Sequence, residues 1–293
     1  MTTAPSAVSS PPCRLYVGTS GYSYTEWVAA GFYPPGTSAG RMLALYARHF
    51  PITEINATAY QLPRAETLER RRRQVPPTFL FAVRLTRTLT HEIDAQRWPD
   101  LARDYRDGLA PLLQSRQLAA VLIQLPPTFD RTAAHRRYLA DLLDVLQGLP
   151  LAVEFRHRSW ANDRVLNELE CRRVALVAVD GPSPATVFPV RDAVTNPDLF
   201  CIRFHGRNES GWRSGKASRQ FDYCYSDDEL GEWAGERIER LSRRARRGIL
   251  LFGNHVQAQA PRNARRMTRL LRRAGWPVEP VEPVGRLGPL KRD

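Results

Sequence analysis

Eight short β-rich runs, separated by amphipathic or loop stretches, restrict this chain more than anything else in it. The runs are Leu15–Thr19, Ile52–Asn56, Phe79–Val83, Val121–Leu125, Leu151–Phe155, Val174–Asp180, Phe200–His205 and Ile249–Asn254. Helical stretches are expected at Arg41–Phe50, Arg64–Gln74, Pro99–Arg116, Thr132–Gln147, Asn162–Arg173, Asp227–Arg246 and Ala260–Ala274. Strand-helix alternation of this kind argues for parallel βα units. Eight such units in fewer than about 300 residues argue for closure into a barrel. The expected fold is therefore α/β: a single (β/α)8 TIM-like barrel over residues 14–275, with long loops above the C-terminal face. A disordered tail at 1–13 and a Pro-rich tail at 276–293 flank it. Ser226 with Glu229 makes a capping box for the sixth of these helices, and Pro261 suits the first turn of the last one. Gly181–Asp198 is the weak link, because it contains no convincing helical pattern.

The 293 residues can bury a substantial core, and 43% apolar with 25% charged residues is a globular composition. No apolar run reaches the roughly 20 residues needed to span a bilayer. The N-terminus lacks the basic start and apolar core of a signal peptide, so a cytoplasmic protein is expected. Cys13, Cys171, Cys201 and Cys224 are widely spaced and read as reduced, unpaired thiols. The net charge is +13, and with only Lys216 and Lys291 as lysines, 41 of the 43 basic residues are arginine. Many fall where helices should close, as in Arg70–Arg73, Arg243, Arg244, Arg246 and Arg247, and Arg269, Arg272 and Arg273. There they meet the negative end of the helix dipole, at the face opposite a barrel's active site. Nucleic acid remains a possible partner but is not favoured by charge alone. The oligomeric state is not legible.

The stretch LAVEFRHRSW, Leu151–Trp160, ends a buried strand in a charged cluster, which is where a βα-barrel keeps its chemistry. Residues two apart on a strand share a face. Applied to every strand end, this rule gives an inward ring of Gly18, Ser20, Glu54, Asn56, Arg84, Gln124, Glu154, Arg156, Asp180, Arg203, His205 and Asn254. Three carboxylates in it balance three arginines, and such buried charges must pair. Two readings stay open: a salt-bridged plug that fills the barrel, or a polar ligand pocket. The loops Ser20–Gly40 and Gly206–Tyr225 above the ring are rich in aromatic residues, and the second is also cationic like a lid.

Several familiar motifs fail. No GxGxxG follows a strand, Gly211–Ser218 lacks the spacing of a phosphate loop, and GTSGY at Gly18–Tyr22 is not a nucleophile elbow. HEID at His91 lacks the second histidine of a zinc protease motif, and no glycosidase acid pair stands on the fourth and seventh strands. Glu154, Asp180, His205 and His255 could together suit a divalent metal. The neighbouring arginines favour a phosphate or carboxylate instead, so no cofactor is expected.

Eight separated motifs resemble the YecE-like family, domain of unknown function 72. They are GTSGYSYTEW at Gly18–Trp27, FYP at Phe32–Pro34, EINATAYQLP at Glu54–Pro63, TH at Thr90–His91, QLPPTF at Gln124–Phe129, VEFRHRSW at Val153–Trp160, IRFHG at Ile202–Gly206 and GNHVQAQAPRNA at Gly253–Ala264. The resemblance covers roughly Leu15 to Ala274 and implies a TIM-like barrel. It implies no reaction. Ala59, Arg84 and Gly253 depart from that pattern, where Phe, Lys and Asn are usual.

The leading expectation is an enzyme acting on a small anionic substrate, including a phosphorylated one, by acid-base chemistry of the hydrolase or isomerase kind. Glu154, His205 and Asp180 are the candidate catalytic residues, since proton transfer needs titratable groups. Ser20, Tyr22, Asn56, Arg84, Gln124, Arg156, Trp160, Arg203, Asn254 and His255 are the candidate substrate contacts. A nucleic-acid-binding barrel or phosphodiesterase, and a non-catalytic small-ligand-binding protein, are the alternatives.

Overall fold

The structure is a computed structural model that describes residues 13–182 and 187–282. All eight expected strands form, with ends displaced by a few residues: β1 Arg14–Thr19, β2 Ile52–Ile55, β3 Leu80–Arg84, β4 Leu118–Gln124, β5 Leu151–Glu154, β6 Ala175–Asp180, β7 Phe200–Phe204 and β8 Arg247–Phe252. Each pairs in parallel with the next, and β8 returns to β1 to close the barrel. The (β/α)8 barrel read from the alternation is the fold.

Strand alternation divides the apolar residues into two cores. Inside the barrel lie mostly small or branched side chains, among them Ala82, Ala120, Leu122, Ala152, Val177 and Ile249. Outside, larger groups such as Phe81, Phe155, Phe204 and Phe252 pack against the helices. At Gly18 the chains come very close: a Cβ there would lie 2.1 Å from the Ile52 carbonyl oxygen, so only glycine fits the β1–β2 seam.

Among the described residues the α-helices of six or more residues are α1 Ala39–Tyr46, α2 Ala65–Arg72, α3 Trp98–Gly108, α4 Ala133–Val145, α5 Asp163–Cys171, α6 Asp227–Glu232 and α7 Gln259–Arg273. Side-chain caps start three of them: Thr132 for α4, Asn162 for α5 and the expected Ser226–Glu229 box for α6. The single helix expected over Asp227–Arg246 is instead interrupted by a π-turn at Trp233–Arg237 before a short helix at Ile238–Ser242. At that turn Trp233 faces Asp180 on one side, and Arg237 lies 3.7 Å over its ring.

Among the described residues, the β6–β7 connection has no helix. Val187 bridges His157 antiparallel, and the Phe188 amide donates to the Arg156 carbonyl. Residues 183–186 of this connection lie outside the described residues, as do 1–12 of the expected N-terminal tail and 283–293 of the C-terminal one. Cys13, assigned to the tail from sequence, is buried, and Val278 adds a parallel bridge to β1 at Leu15. The four cysteines are unpaired. No described helix is long and apolar enough to cross a membrane. The closing helix turns carry Arg70–Arg72 and Arg272–Arg273, as expected for the bottom rim.

Candidate functional site

The floor of the barrel mouth is built around Arg203 on β7, whose side chain is 3% exposed. Its Nη2 donates to both carboxylate oxygens of Glu54 from β2, at 2.7 and 2.9 Å. Its Nη1 donates to Glu154 Oε2 from β5 at 2.5 Å and to Gln124 Oε1 from β4 at 3.0 Å. Four strands are thereby tied across the barrel axis. Burial alone would lower the Arg203 pKa, but Glu54 and Glu154 outweigh it and raise it. The salt-bridged plug anticipated from the sequence is present, as the floor of the site.

Above the floor the same alternation carries Arg156 and His205 upward. Arg156 Nε lies 2.5 Å from Glu154 Oε1, although neither atom makes a well-aligned hydrogen bond. Arg156 Nη2 lies 3.1 Å from His205 Nε2. An arginine can only donate, so Nε2 accepts and the imidazole proton is assigned to Nδ1. Burial, opposed by Glu154 and reinforced by Arg156, pushes the His205 pKa down to about 4, so the ring is neutral at pH 7. For Glu154, burial would raise the pKa, yet Arg156 and Arg203 hold it well below the usual carboxylate range. It is an anion, held from two sides.

Arg84, at the end of β3, differs from the other two arginines. Its guanidinium makes no hydrogen bond or ion pair among the described residues. Burial and the charge of Arg203 lower its pKa against the pull of Glu54 and Glu154. The mouth thus holds three guanidiniums, Arg84, Arg156 and Arg203, against the two carboxylates Glu54 and Glu154. It carries one net positive charge.

Four sequence candidates lie elsewhere. Asp180 points outward, because Val177 and Val179 are the residues of β6 that pack on the barrel interior. Its carboxylate accepts from Arg207 Nε and Nη2, from Tyr225 Oη at 2.7 Å and from Trp233 Nε1 at 2.7 Å. This network ties both ends of the Gly206–Tyr225 loop to β6. Asn254 also leaves the ring: its Nδ2 donates to the Tyr223 carbonyl and to Asn263 Oδ1, and Gly253 takes the inward position. Trp160 is 3% exposed and stacks with Phe155 and Phe129 in the outer core, donating to the Phe129 carbonyl. Tyr22 packs on the outer core near Tyr46.

Replacing Asp180 by alanine strands the buried Trp233 N–H and leaves the Tyr225 hydroxyl only the long 3.4 Å contact to the residue-180 carbonyl. A cost of about 3 kcal/mol is expected, from the usual penalty for orphaned buried donors. Urea unfolding measures it, and a loss below about 1 kcal/mol would show that this network does not anchor the loop.

Ser20, Asn56 and His255 line the β1–β2 and β8 side of the mouth. The Ser20 carbonyl accepts from Tyr24 Oη at 2.9 Å and Asn56 Nδ2 at 3.0 Å. His255 stacks on Tyr24 with centroids 4.6 Å apart, and its Nδ1 contacts Glu26 Oε1 at 3.0 Å. Phe221 and Trp212 of the lid continue this aromatic wall as far as Arg156, which lies 5.3 Å from the Trp212 ring centre. His255 and Asp180 therefore do not join Glu154 and His205. Among the described residues no three His, Cys, Asp or Glu side chains converge as a metal site would require.

His91 is a mouth residue absent from the sequence candidates. Burial, then the charges of Arg87 and Arg84, push its pKa down to about 4. Its position in the Thr90–His91 motif after β3 was the available signal. Ala59, by contrast, is buried, and the neighbouring Tyr60 stands 73% exposed within electrostatic reach of Arg84.

Buried polar groups in folded proteins are nearly always satisfied. Among the described residues Ser20 Oγ, Asn56 Oδ1, Arg203 Nε, His205 Nδ1 and Trp212 Nε1 have no hydrogen-bond partner and belong to the mouth or its lid, whereas three such atoms, Arg131 Nε, Ser242 Oγ and Asn254 Oδ1, lie outside it. That concentration marks a place shaped for something the chain itself does not supply.

The family model described as "Protein of unknown function DUF72" matches residues 16–286. The UPF0759 protein YunF of Bacillus subtilis is 29% identical over 271 residues, spanning 88% of this chain and 94% of its own. A DUF72 family protein from Thermotoga maritima superposes with a TM-score of 0.79 at 30% identity, over 88% of this chain and 99% of that one. One from Enterococcus faecalis gives 0.80 at 26% identity, over 92% and 99%. With the barrel, the ring and the family model in agreement over nearly the whole described chain, this protein belongs to the DUF72 family.

Proposed function

We propose that this DUF72 protein is an enzyme for a small anionic substrate, held at Arg84 and Arg156 and acted on by proton transfer at His205. The observation that carries the reading is the uncompensated charge of Arg84. Arg84 is partly buried, where charges are normally paired, and a guanidinium fork matches a phosphate or carboxylate in two parallel hydrogen bonds. Arg203, a sequence candidate for the same role, has both Nη groups engaged by the floor. The anion therefore falls to Arg84 and Arg156.

His205 supplies the titratable atom. An anion that draws Arg156 aside releases Nε2 from the bond it now accepts. Nε2 then carries a free lone pair on the side where Arg156 holds the anion and serves as the base, while the proton assigned to Nδ1 stays where it is. Glu154 Oε1 lies 3.5 Å from Nε2. Glu154 orients the ring and steadies the imidazolium that forms, as a carboxylate does in the serine hydrolase triad.

Thermal-shift titration with phosphate, sulfate, sugar phosphates, nucleotides and small carboxylates tests the anion site at fixed pH and ionic strength. A ligand at about 100 times its Kd adds about 2.7 kcal/mol of stability, and the midpoint should rise by several degrees. Arg84→Ala should abolish that rise while keeping the native circular dichroism spectrum. A rise of equal size in wild type and Arg84→Ala would mean a generic ionic effect and would overturn the reading.

A further inference from the structure

Beside the mouth, and sharing Arg156 and Trp212 with it, lies a cavity of about 330 Å³, also lined by Phe155, Val179, Val187, Phe188 and Val190, among others. Among the described residues the β6–β7 connection places no helix beside this cavity. The connection instead folds back, with Val187 bridged to His157 and the Phe188 amide on the Arg156 carbonyl. Phe188 thereby stands 5.6 Å from Phe155, and the lid residue Trp212 covers the side towards Arg156.

We infer that the substrate is an amphiphilic anion, with its charged group on Arg84 and Arg156 and a flat apolar group, such as an aromatic ring, in this cavity. The inference rests on the anion reading above and adds to it the second half of the ligand. Five observations support it. The volume falls at the lower end of the range for small-molecule sites and is about twice that of a cavity known to hold one benzene ring. The walls are aromatic and branched aliphatic, which suits a ring between them. Arg156 lies at the junction, its guanidinium part of the charged mouth and its side chain part of the cavity wall. Trp212 Nε1, shielded from solvent and without an acceptor among the described residues, offers a hydrogen bond to a polar atom of the ligand. The exposed Glu209 and Arg213 rim the cavity, so its entrance is polar while its walls are not.

Isothermal titration of the full chain with matched probes tests this. 1-Naphthyl phosphate is compared with inorganic phosphate, 1-naphthoate with acetate, and neutral 1-naphthalenemethanol serves as the uncharged control. The naphthyl anions should bind at least about tenfold more tightly than their head groups alone, given the apolar area the cavity can cover. In Val190→Trp, which fills the cavity from its partly exposed edge, that ratio should fall to near one. Trp212→Ala, at the Arg156 side of the cavity, should reduce it independently of how well Val190→Trp folds. Equal affinity for inorganic phosphate and naphthyl phosphate would overturn the cavity inference and leave the anion reading standing. A ratio unchanged in both variants would do the same, since the ring would then bind elsewhere. Failure of every anion to bind, or naphthalenemethanol binding as tightly as naphthyl phosphate, would overturn the anion reading and this inference with it.

Discussion

Replacing Arg203 by methionine is expected to destabilise the protein by about 3–5 kcal/mol, the usual cost of removing one partner from a buried ion pair. In a chain of this size the thermal midpoint should fall by roughly 10 °C. The loss comes from what is left behind. Glu54 is fully buried, and Arg203 is its ion-pair partner among the described residues. Glu154 keeps Arg156. Adding Glu54→Gln to Arg203→Met removes the stranded charge, so the double variant should regain at least half of the lost stability. Urea unfolding at neutral pH provides both numbers. A single-variant loss of under about 1 kcal/mol, or a double variant no better than the single, would show that the floor is not a coupled charge network.

Acid should weaken the fold well before the carboxylates titrate. His205 has a folded pKa near 4 against 6.5 for an unperturbed histidine. Between those values the unfolded chain binds a proton that the folded protein refuses. The contribution is therefore complete above pH 6.5 and is lost as pH falls towards 4. By linkage the loss amounts to about 2 kcal/mol by pH 5 and about 3 kcal/mol in full. His91, lowered to about 4 by burial and nearby arginines, acts in the same direction and window. Glu154 and Asp180 are also depressed, and their contribution is present above the ordinary carboxylate value near 4 and lost below it. Unfolding free energies at pH 7.5 and pH 5 should thus differ by at least about 2 kcal/mol, and His205→Gln should remove about half of the difference, His91 supplying the rest. A wild-type stability that stays level between these two pH values would show that His205 is not buried as a neutral ring.

The eight strands and most of the helices were legible because burial on both faces of a strand, and on one face of a helix, leaves a repeat in the chain. Much of the ring was legible for the same reason. Glu54, Arg84, Gln124, Glu154, Arg156, Arg203 and His205 all follow from counting two residues at a time along strands whose other positions are apolar. Asp180 and Asn254 show where that counting stops. Val177 and Val179 face inward on β6, while Leu176 and Ala178 face the helices. Both faces are apolar, so nothing in the run itself says which is which. Asp180 is turned outward by Arg207, Tyr225 and Trp233, which lie 27, 45 and 53 positions along the chain. Trp160 was misplaced in the same way, since its partners Phe129 and Phe155 assemble only when the loops after β4 and β5 meet.

The sequence by itself determined the barrel, the end of it that carries the charges and most of the residues that meet there. Only the tertiary structure decided how those charges divide. Pairing depends on distances of a few ångströms between side chains from different strands, and a one-dimensional pattern holds no such distances. In three dimensions Asp180 leaves the ring, Arg203 is used up by Glu54, Glu154 and Gln124, and Arg84 remains without a counter-ion among the described residues. A ring that looked balanced at three charges of each sign thereby becomes a floor with one positive charge above it.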